Sequence, residues 1–460
     1  FSHIDSPLRS AAHYHPRVAH STYIRERGRA FALACGASAI ALSAASPALG
    51  NGRFPGASQV VLDPSEPRHL VLRSTFGLLD SRTGGSSIRW ICEESAFFGA
   101  VTYDPAIAIG RQGVVLAGLA NGLSRGTEGG CEWERVKGAL EGVYVVDLSV
   151  DRRGRALAVT SEPPPARARF ATSDDDGLTW RDVALPEDFD PLTVDAAPGL
   201  PARVYVSGRV AFPQFGGMLR SDDGGATFTL STFDLRGGRA AYIAAVDPID
   251  ADRLWVRVTG DGADRLLVST DAGTTFREVL AAGGPLFGFA LSPDGLRVAV
   301  STPADGLSVA RVADHAFARL AAIDARCLAW SADGLYACGS EPADAFSLAL
   351  FPDGAGLAQP RYRLRDTEPL DCASTTRTGG LCPSAWPEVA ARLGKTAATP
   401  DAGTPPRSSS PTEPSTPASP TPSDAGGCAF TSATGGGAAA LGGALALGAL
   451  LARRRRRARG

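Results

Sequence analysis

Short apolar segments alternate with turn residues through the middle of the chain. In three clear cases, at 59–72, 243–256 and 287–300, an apolar segment leads through a turn containing Pro, Asp or Gly into a second apolar segment. Apolar and β-branched runs of this length between turn residues are typical of strands. We find no helical periods of the kind that a doubly wound α/β fold places between its strands. The pattern predicts an all-β fold made of hairpins.

A second pattern, Ser-x-Asp-x-Gly-x-Thr-aromatic, occurs at 173–180, 221–228 and 269–276. In a tight hairpin, Gly supplies the positive φ of the turn, while the carboxylate and hydroxyls bond turn backbone groups. The aromatic residue is predicted to begin the next strand and to pack beside the neighbouring sheet. The residues assigned to these three repeat loops are Ser173, Asp175, Gly177, Thr179, Trp180, Ser221, Asp223, Gly225, Thr227, Phe228, Ser269, Asp271, Gly273, Thr275 and Phe276.

The spacing of the aromatic residues extends beyond these three loops. Aromatic residues stand at positions 90, 133, 180, 228, 276, 317 and 362, at intervals of 41 to 48 residues. Trp90 and Trp133 follow eroded copies of the loop at Gly84-Gly85 and Gly129-Gly130. Four short strands in each such interval are typical of propeller blades. The sequence therefore predicts a β-propeller of seven four-stranded blades over residues 53–368, with six or eight blades as alternatives.

The repeat loops resemble Asp-boxes, also called BNR repeats, of sialidases and related propellers. The resemblance implies that the loops lie on the outer rim, away from the central channel where sialidases bind substrate, and that their role is structural. A sialidase also needs an arginine cluster, a Tyr–Glu nucleophile pair and an acidic proton donor. Its early Arg-Ile-Pro signature is absent, and Arg53-Phe54-Pro55 matches it poorly.

Two Tyr–Asp combinations could still face the channel. They are Tyr103 with Asp104 and Tyr144 with Asp147, and we interpret both as solvated strand edges. A glycosidase of another type needs two carboxylates about 5–10 Å apart, and a propeller brings such residues together from different blades, so no sequence spacing marks them. We therefore assign no catalytic residue.

Metal and cofactor sites have little support in the sequence. His69 and His315 are isolated, and no Cys pair has zinc-like spacing. The run Asp174-Asp175-Asp176 has too few ligands for Ca²⁺. We expect no metal and no cofactor.

The charge balance argues against a nucleic-acid partner. The chain has 46 basic and 48 acidic residues, with a formal net charge of −2. It therefore lacks the broad basic surface that binding to nucleic acid requires.

Six cysteines lie between the two terminal segments and predict disulfides in an exported domain. Cys327 and Cys338 flank a four-residue turn, which places them opposite each other across a hairpin. We further predict the pairs Cys92–Cys131, at similar places in adjacent blades, and Cys372–Cys382, which would clip a C-terminal extension at 369–394. An alternative ties Cys327 or Cys338 to the 372–382 segment.

The chain ends are predicted to be processing segments. Residues 1–24 precede a secretory signal at 25–48, which has arginines at its start, a small apolar run that contains Cys35, and Ser46-Pro47-Ala48 at its end. Leu33-Ala34-Cys35 faintly suggests a lipoprotein box instead. Residues 395–427 are rich in Pro, Ser and Thr and are predicted to form a disordered linker.

The C-terminal tail, 428–460, combines Gly427-Cys428, an apolar run over 429–452 and five arginines at 453–457. Twenty-four apolar or small residues give ~36 Å of helix, enough to span a bilayer. This tail resembles the myxobacterial MYXO-CTERM sorting tail. The resemblance implies cutting by a sorting protease near Cys428, lipidation of that cysteine and anchoring in the outer membrane at the cell surface. The alternative is a plain single-span transmembrane anchor.

Together these features predict an exported, surface-anchored propeller that binds a glycan or a protein without catalysis, or serves as an envelope scaffold. The alternatives are an exported, sialidase-like glycoside hydrolase acting at the central channel and an assembly factor for an envelope complex.

Overall fold

The computed structural model describes residues 56–99, 104–162, 166–210 and 215–395. The predicted signal segment at 25–48, residues 53–55, Tyr103, and the linker and tail from 396 onward, including Cys428, lie outside the described residues. None of the described helices is long and apolar enough to cross a membrane.

The described residues form seven sheets, each a meander of four consecutive antiparallel strands. Blade 1 contains β1 (Ala57–Leu62), β2 (Leu70–Ser74), β3 (Gly77–Ser81) and β4 (Arg89–Ile91); blade 2 contains β5 (Ile107–Ile109), β6 (Val115–Leu119), β7 (Gly122–Thr127) and β8 (Glu132–Arg135); blade 3 contains β9 (Tyr144–Val150), β10 (Ala156–Ser161), β11 (Arg169–Ser173) and β12 (Arg181–Ala184); blade 4 contains β13 (Phe189–Ala197), β14 (Leu200–Val210), β15 (Phe215–Ser221) and β16 (Thr229–Phe233).

The remaining three blades follow the same plan. Blade 5 contains β17 (Ala240–Val246), β18 (Leu254–Thr259), β19 (Arg265–Ser269) and β20 (Arg277–Ala281); blade 6 contains β21 (Gly288–Leu291), β22 (Arg297–Thr302), β23 (Gly306–Arg311) and β24 (Ala318–Ala321); blade 7 contains β25 (Cys327–Ser331), β26 (Gly334–Cys338), β27 (Leu348–Phe351) and β28 (Gln359–Tyr362). A short helix, α1 (Glu341–Asp344), lies between β26 and β27.

The first strand of each blade lies at the centre of the molecule. Each of these inner strands contacts the inner strands of both neighbouring blades, and β1 contacts β25, so that the ring closes. The prediction of a seven-bladed, four-stranded propeller is confirmed.

The hydrophobic core lies in the seams between blades. One seam joins Leu157 and Phe170 of blade 3 to Phe189 and Val204 of blade 4, all of them buried. Residues of each strand alternate between the two faces of their sheet, so both faces of a blade carry apolar side chains. The second strand of each blade is therefore mostly apolar, whereas an outer strand such as β12 is exposed.

A C-terminal latch, residues 368–395, follows blade 7. It begins with β29 (Glu368–Pro369), which pairs in parallel with β4 at the outer edge of blade 1, and continues into α2 (Arg377–Arg392). In α2, Thr378 Oγ1 contacts Ser95 Oγ at 2.6 Å and donates to the Gly130 carbonyl at 2.7 Å. The latch therefore holds blades 1 and 2 together.

Two of the three predicted disulfide pairs are wrong. The structure joins Cys92 to Cys382 and Cys131 to Cys372, while Cys327–Cys338 is confirmed, across directly paired residues of β25 and β26. Cys92 and Cys131 each find a partner in the latch, because the chain doubles back from blade 7 across the outer edges of blades 1 and 2. Disulfides persist in oxidising compartments, so the three bridges indicate an exported protein.

Candidate functional site: the central channel and its mouth

The inner strands carry β-bulges that shape the channel wall. The register between inner and second strand shifts at Ser58 in β1, Val146 in β9 and Leu192 in β13. A bulge adds one residue to its strand and re-aims the neighbouring side chains. The residues that follow these three bulges, Gln59, Asp147 and Thr193, occupy equivalent positions in their blades.

Each of these three side chains reaches the backbone of the next inner strand. Gln59 Nε2 donates to the Ile107 carbonyl at 3.4 Å. The Val194 amide donates to Asp147 Oδ2 at 2.9 Å, and the Ile243 amide donates to Thr193 Oγ1 at 2.8 Å. An inner strand is a sheet edge with unpaired amides and carbonyls, and these bonds satisfy some of them while linking neighbouring blades.

Asp147 and Asp195 form a carboxyl pair on the adjacent inner strands of blades 3 and 4. The pKa of Asp147 is raised to about 7, chiefly by burial and also by the charge of Asp195, while the hydrogen bonds from the Val194 and Leu148 amides and the charge of Arg73 oppose the shift. Burial likewise raises the pKa of Asp195 to about 7, against the hydrogen bond from the Ala196 amide. Both side chains are half-buried.

The interpretation of the two Tyr–Asp combinations needs correction for Asp147. Tyr144 is 41% exposed, as a solvated strand edge would be, but Asp147 belongs to the channel wall and is held by the next blade. Asp104 contacts Ser58 Oγ at 3.4 Å. Sequence reasoning missed Asp195, although an acidic residue inside the apolar segment Val194-Asp195-Ala196 of an inner strand is a usable signal.

One cavity, of about 310 Å³, opens where five blades meet. We call it the apolar mouth. Its wall comes from the inner-strand segments 244–246, 289–291 and 328–330, and its rim from the turns at Arg152, Pro198, Pro248, Ser292 and Pro293. Residues of five blades come together only around the central axis, so this cavity is one end of the channel. Its lining contains aliphatic and aromatic side chains, one arginine and no carboxylate.

The turn between the first and second strand is built around an aspartate in blades 1, 3 and 5. The carboxylate accepts hydrogen bonds from turn amides and pairs with a cationic residue at the start of the second strand. These pairs are Asp63 with His69 at 2.8 Å, Asp151 with Arg155 at 3.2 Å, and Asp247 with Arg253 at 3.1 Å.

The prediction that His69 is isolated is wrong. His69 is fully buried, and its Nδ1 and Nε2 lie 2.8 and 2.9 Å from carboxylate oxygens of Asp63 and Asp80. Burial opposes protonation, but the hydrogen bonds to Asp80 and Asp63 outweigh it and raise the pKa of His69. Asp63, Glu66 and His69 approach one another closely enough to suggest a metal site. With both ring nitrogens engaged by carboxylates, however, His69 has no free nitrogen for a metal.

The three repeat loops share one hydrogen-bond pattern, seen here in the first of them. Ser173 Oγ donates to Asp175 Oδ1 at 2.7 Å and accepts from the Gly177 amide at 2.9 Å. The Thr179 amide and hydroxyl donate to the two oxygens of Asp175 at 2.9 and 2.5 Å. Although partial burial opposes it, hydrogen bonding from Thr179 and Ser173 lowers the pKa of Asp175 to about 2. The bonds at Asp223 and Asp271 match.

The eroded loop of blade 1 keeps this pattern with different atoms. Ser81 Oγ accepts from the Gly85 amide at 3.0 Å, and Thr83 Oγ1 accepts from the Ser87 amide at 2.8 Å. Thr83 therefore stands where the complete loops have aspartate.

The aromatic residues of the loops pack into the blade seams. The Trp180 and Trp133 indoles donate to the Gly177 and Gly130 carbonyls, each at 2.9 Å. The Phe228 ring lies 5.2 Å from that of Phe170 in the preceding blade. The loops join third to fourth strands, at the outer part of each blade and away from the channel.

Comparison with known proteins identifies the fold only. No family model matches the sequence, and no curated protein matches it significantly. Among solved structures, a chain of hydrazine synthase from Kuenenia stuttgartiensis is 11% identical with a TM-score of 0.50, over 66% of this chain and 97% of that one.

Two glycoside hydrolases of family GH74 are also similar. An ancestral GH74 enzyme is 14% identical with a TM-score of 0.43, over 68% of this chain and 39% of its own. The enzyme from Niastella koreensis is 15% identical with a TM-score of 0.36, over 61% of this chain and 48% of its own. This chain thus spans less than half the length of either enzyme.

Proposed function

We propose that this chain is a cell-surface propeller that binds a ligand at the apolar mouth without catalysis. In this proposal the repeat loops are Asp-boxes that stabilise the blades, and the C-terminal tail is a MYXO-CTERM anchor that displays the propeller on the outer membrane. In this proposal the five segments from 25–48 to 428–460 act in chain order: the signal exports the chain, the propeller with its C-terminal extension is displayed, and the linker and tail anchor it.

The apolar mouth is the observation that supports binding most directly. Ligand sites are concave and combine apolar side chains with a few polar groups that orient the ligand, and the mouth combines aliphatic and aromatic side chains with Arg152 and Ser292. Ala245, Phe289, Leu291 and Ala329 remain partly exposed there. A glycosidase would need a carboxylate pair within the cavity, and the lining contains none.

A variant that fills the mouth tests this proposal. Ala329→Trp places a large ring in the cavity without removing a core side chain, and Ala343→Trp, on exposed α1 at the other end of blade 7, is the matched control. The full chain is screened by biolayer interferometry against glycans and peptides. Any ligand of the mouth should bind Ala329→Trp at least about tenfold more weakly, a loss of about 1.4 kcal/mol, and bind Ala343→Trp normally. Equal affinity for all three proteins would refute the proposal.

The carboxyl pair Asp147 and Asp195 favours a second candidate, an exported glycoside hydrolase. A pKa of about 7 for both carboxyls keeps part of the pair protonated at neutral pH, as a general acid requires. The hydrogen bond of Asp147 argues against a catalytic role. Asp147 accepts from the Val194 amide and occupies the same blade position as Gln59 and Thr193, whose hydrogen bonds only link neighbouring blades.

Turnover of sialosides and polysaccharides decides between the candidates. A hydrolase should lose at least about a hundredfold in rate on Asp147→Asn or Asp195→Asn. Absence of turnover by the wild-type chain across the panel, or turnover unchanged in both variants, would eliminate the second candidate.

A further inference from the structure

Arg152 is the only charged residue in the lining of the apolar mouth. It is exposed, and within the described part of the chain no carboxylate forms an ion pair with it. In the same turn Arg155 pairs with Asp151 at 3.2 Å, as Arg253 pairs with Asp247 at 3.1 Å in blade 5, so Asp151 already has an arginine partner other than Arg152. A guanidinium beside an apolar cavity and without an internal counter-ion is placed to receive an anion from a ligand.

The wall opposite Arg152 offers only apolar side chains. Phe289 and Leu291 of β21 are partly exposed there, whereas Leu328 and Trp330 of β25 are largely buried. The volume of about 310 Å³ is at the lower end of the range for small-molecule sites. It suits one small ligand, rather than a folded partner.

Building on the proposed function, we infer that the apolar mouth binds a small aliphatic monocarboxylate. Its hydrocarbon chain lies against β21 and β25, and its carboxylate meets Arg152 at the rim. A cationic ligand would meet Arg152 with like charge and would be excluded.

Calorimetric titration of the full chain with four probes tests this inference. The probes are decanoate, octanoate, decanol and decyltrimethylammonium. Decanoate should bind about tenfold tighter than octanoate, because each buried methylene contributes about fourfold. It should bind about fivefold tighter than decanol, the gain expected for one partly exposed charge pair, and decyltrimethylammonium should bind most weakly.

Substitution of Arg152 provides the second measurement. Arg152→Gln should abolish the preference for decanoate over decanol, and Arg152→Lys should restore part of it. Arg153→Gln changes the adjacent exposed arginine, which does not line the cavity, and should have no effect. Ala329→Trp and Ala245→Trp fill the mouth at two different places. A probe that still binds both variants as tightly as the wild type must bind outside the mouth, for example at the tail.

The outcomes separate this inference from the function on which it rests. If decanol binds as tightly as decanoate and both mouth-filling variants block it, the mouth binds ligands but the carboxylate preference is refuted. If no probe binds, or if both mouth-filling variants bind the probes as tightly as the wild type does, the inference is refuted, and the glycan and peptide screen alone decides the proposed function. Circular dichroism confirms that each variant is folded.

Discussion

At the scale of single residues, a carboxyl group in the channel wall makes the stability of the propeller depend on pH. The pKa of Asp147 is raised from its ordinary value of 3.8 to about 7. A folded-state pKa above the unfolded one means that the folded protein holds its proton more tightly. The stabilisation that the protonated carboxyl provides is present below about pH 4 and is lost as the pH rises to about 7.

Asp147→Asn should therefore stabilise the propeller at high pH. The amide oxygen still accepts from the Val194 amide, but no charge has to be buried. We expect the variant to exceed the wild type in free energy of unfolding by about 1–2 kcal/mol at pH 8, after allowance for partial solvent screening, and to match it at pH 4. Denaturant titrations at both pH values measure this difference. Asp188→Asn, at an exposed position before β13, is the control, and an equal gain there would contradict the explanation.

Gly225 shows why the repeat loops require glycine. Its φ is 96°, and a Cβ there would lie 1.9 Å from Phe170 Cε1 in the preceding blade. Gly225→Ala should cost about 2–4 kcal/mol, from backbone strain and from displacement of a buried ring. Gly237→Ala has a similar φ of 78° but nothing within 4 Å of the added methyl, and should cost about 1 kcal/mol. Thermal or denaturant unfolding compares the two, and equal costs would show that the contact with Phe170 is unimportant.

Single residues also show where sequence reasoning succeeds and where it stops. The repeat loops were predictable because the hydrogen bonds among their Ser, Asp, Gly and Thr residues span only four residues or fewer, so the local sequence determines them. Asp195 was not assigned, because its environment depends on β9 of the preceding blade. His69 was interpreted as isolated for the same reason, since Asp80 approaches it from a different strand.

At the scale of elements, the main feature is the C-terminal latch. Within the described chain, the four strands of every blade are consecutive in sequence. No blade therefore combines strands from the start and the end of the propeller, except that β29 adds a fifth strand to blade 1. Closure rests on packing of β1 against β25 and on the latch. Trp386 of α2 packs 5.4 Å from Trp90, and Arg377 stacks 3.7 Å over the Phe97 ring.

The two latch disulfides should stabilise the fold in a non-additive way. In the unfolded chain with both bridges intact, the second bridge adds a loop of only about 50 residues, because the first bridge already joins the two distant segments. When only one bridge remains, that bridge closes a loop of more than 200 residues. Removing the second bridge should therefore cost about 1 kcal/mol more than removing the first. Denaturant unfolding of Cys92→Ser/Cys382→Ser, Cys131→Ser/Cys372→Ser and the quadruple variant measures this. Strict additivity would show that the two bridges do not act by constraining nested loops of the unfolded chain.

The latch also marks the limit of prediction for the elements. Strand pattern and aromatic spacing predicted the number of blades, because each blade repeats one local pattern. Disulfide partners depend on how the chain runs after blade 7. The sequence contains no sign that residues 369–382 cross to blades 1 and 2, so sequence proximity favours the local pairs Cys92–Cys131 and Cys372–Cys382. Cys327–Cys338 was predictable since a single hairpin defines it.

At the scale of the whole molecule, the three disulfides indicate export, and anchoring is our proposal. If Cys428 is the lipidated residue of a sorting tail, Cys428→Ser should release the protein from the cell surface or leave it unprocessed, with a higher mass. Cys35→Ser, in the predicted signal, is the control and should change neither property. Fractionation and mass spectrometry measure both, and unchanged mass and membrane association for Cys428→Ser would contradict lipidation.

The location of the bound ligand is the most direct test of the account as a whole. Hydrogen exchange of the full chain, measured by mass spectrometry with and without a ligand found in the binding screen, reports which inner strands become protected. We predict slower amide exchange on ligand binding at 244–246, 289–291 and 328–330, which line the apolar mouth. Protection confined to 144–148 and 193–196, around Asp147 and Asp195, would contradict it and would place the functional site at the carboxyl pair.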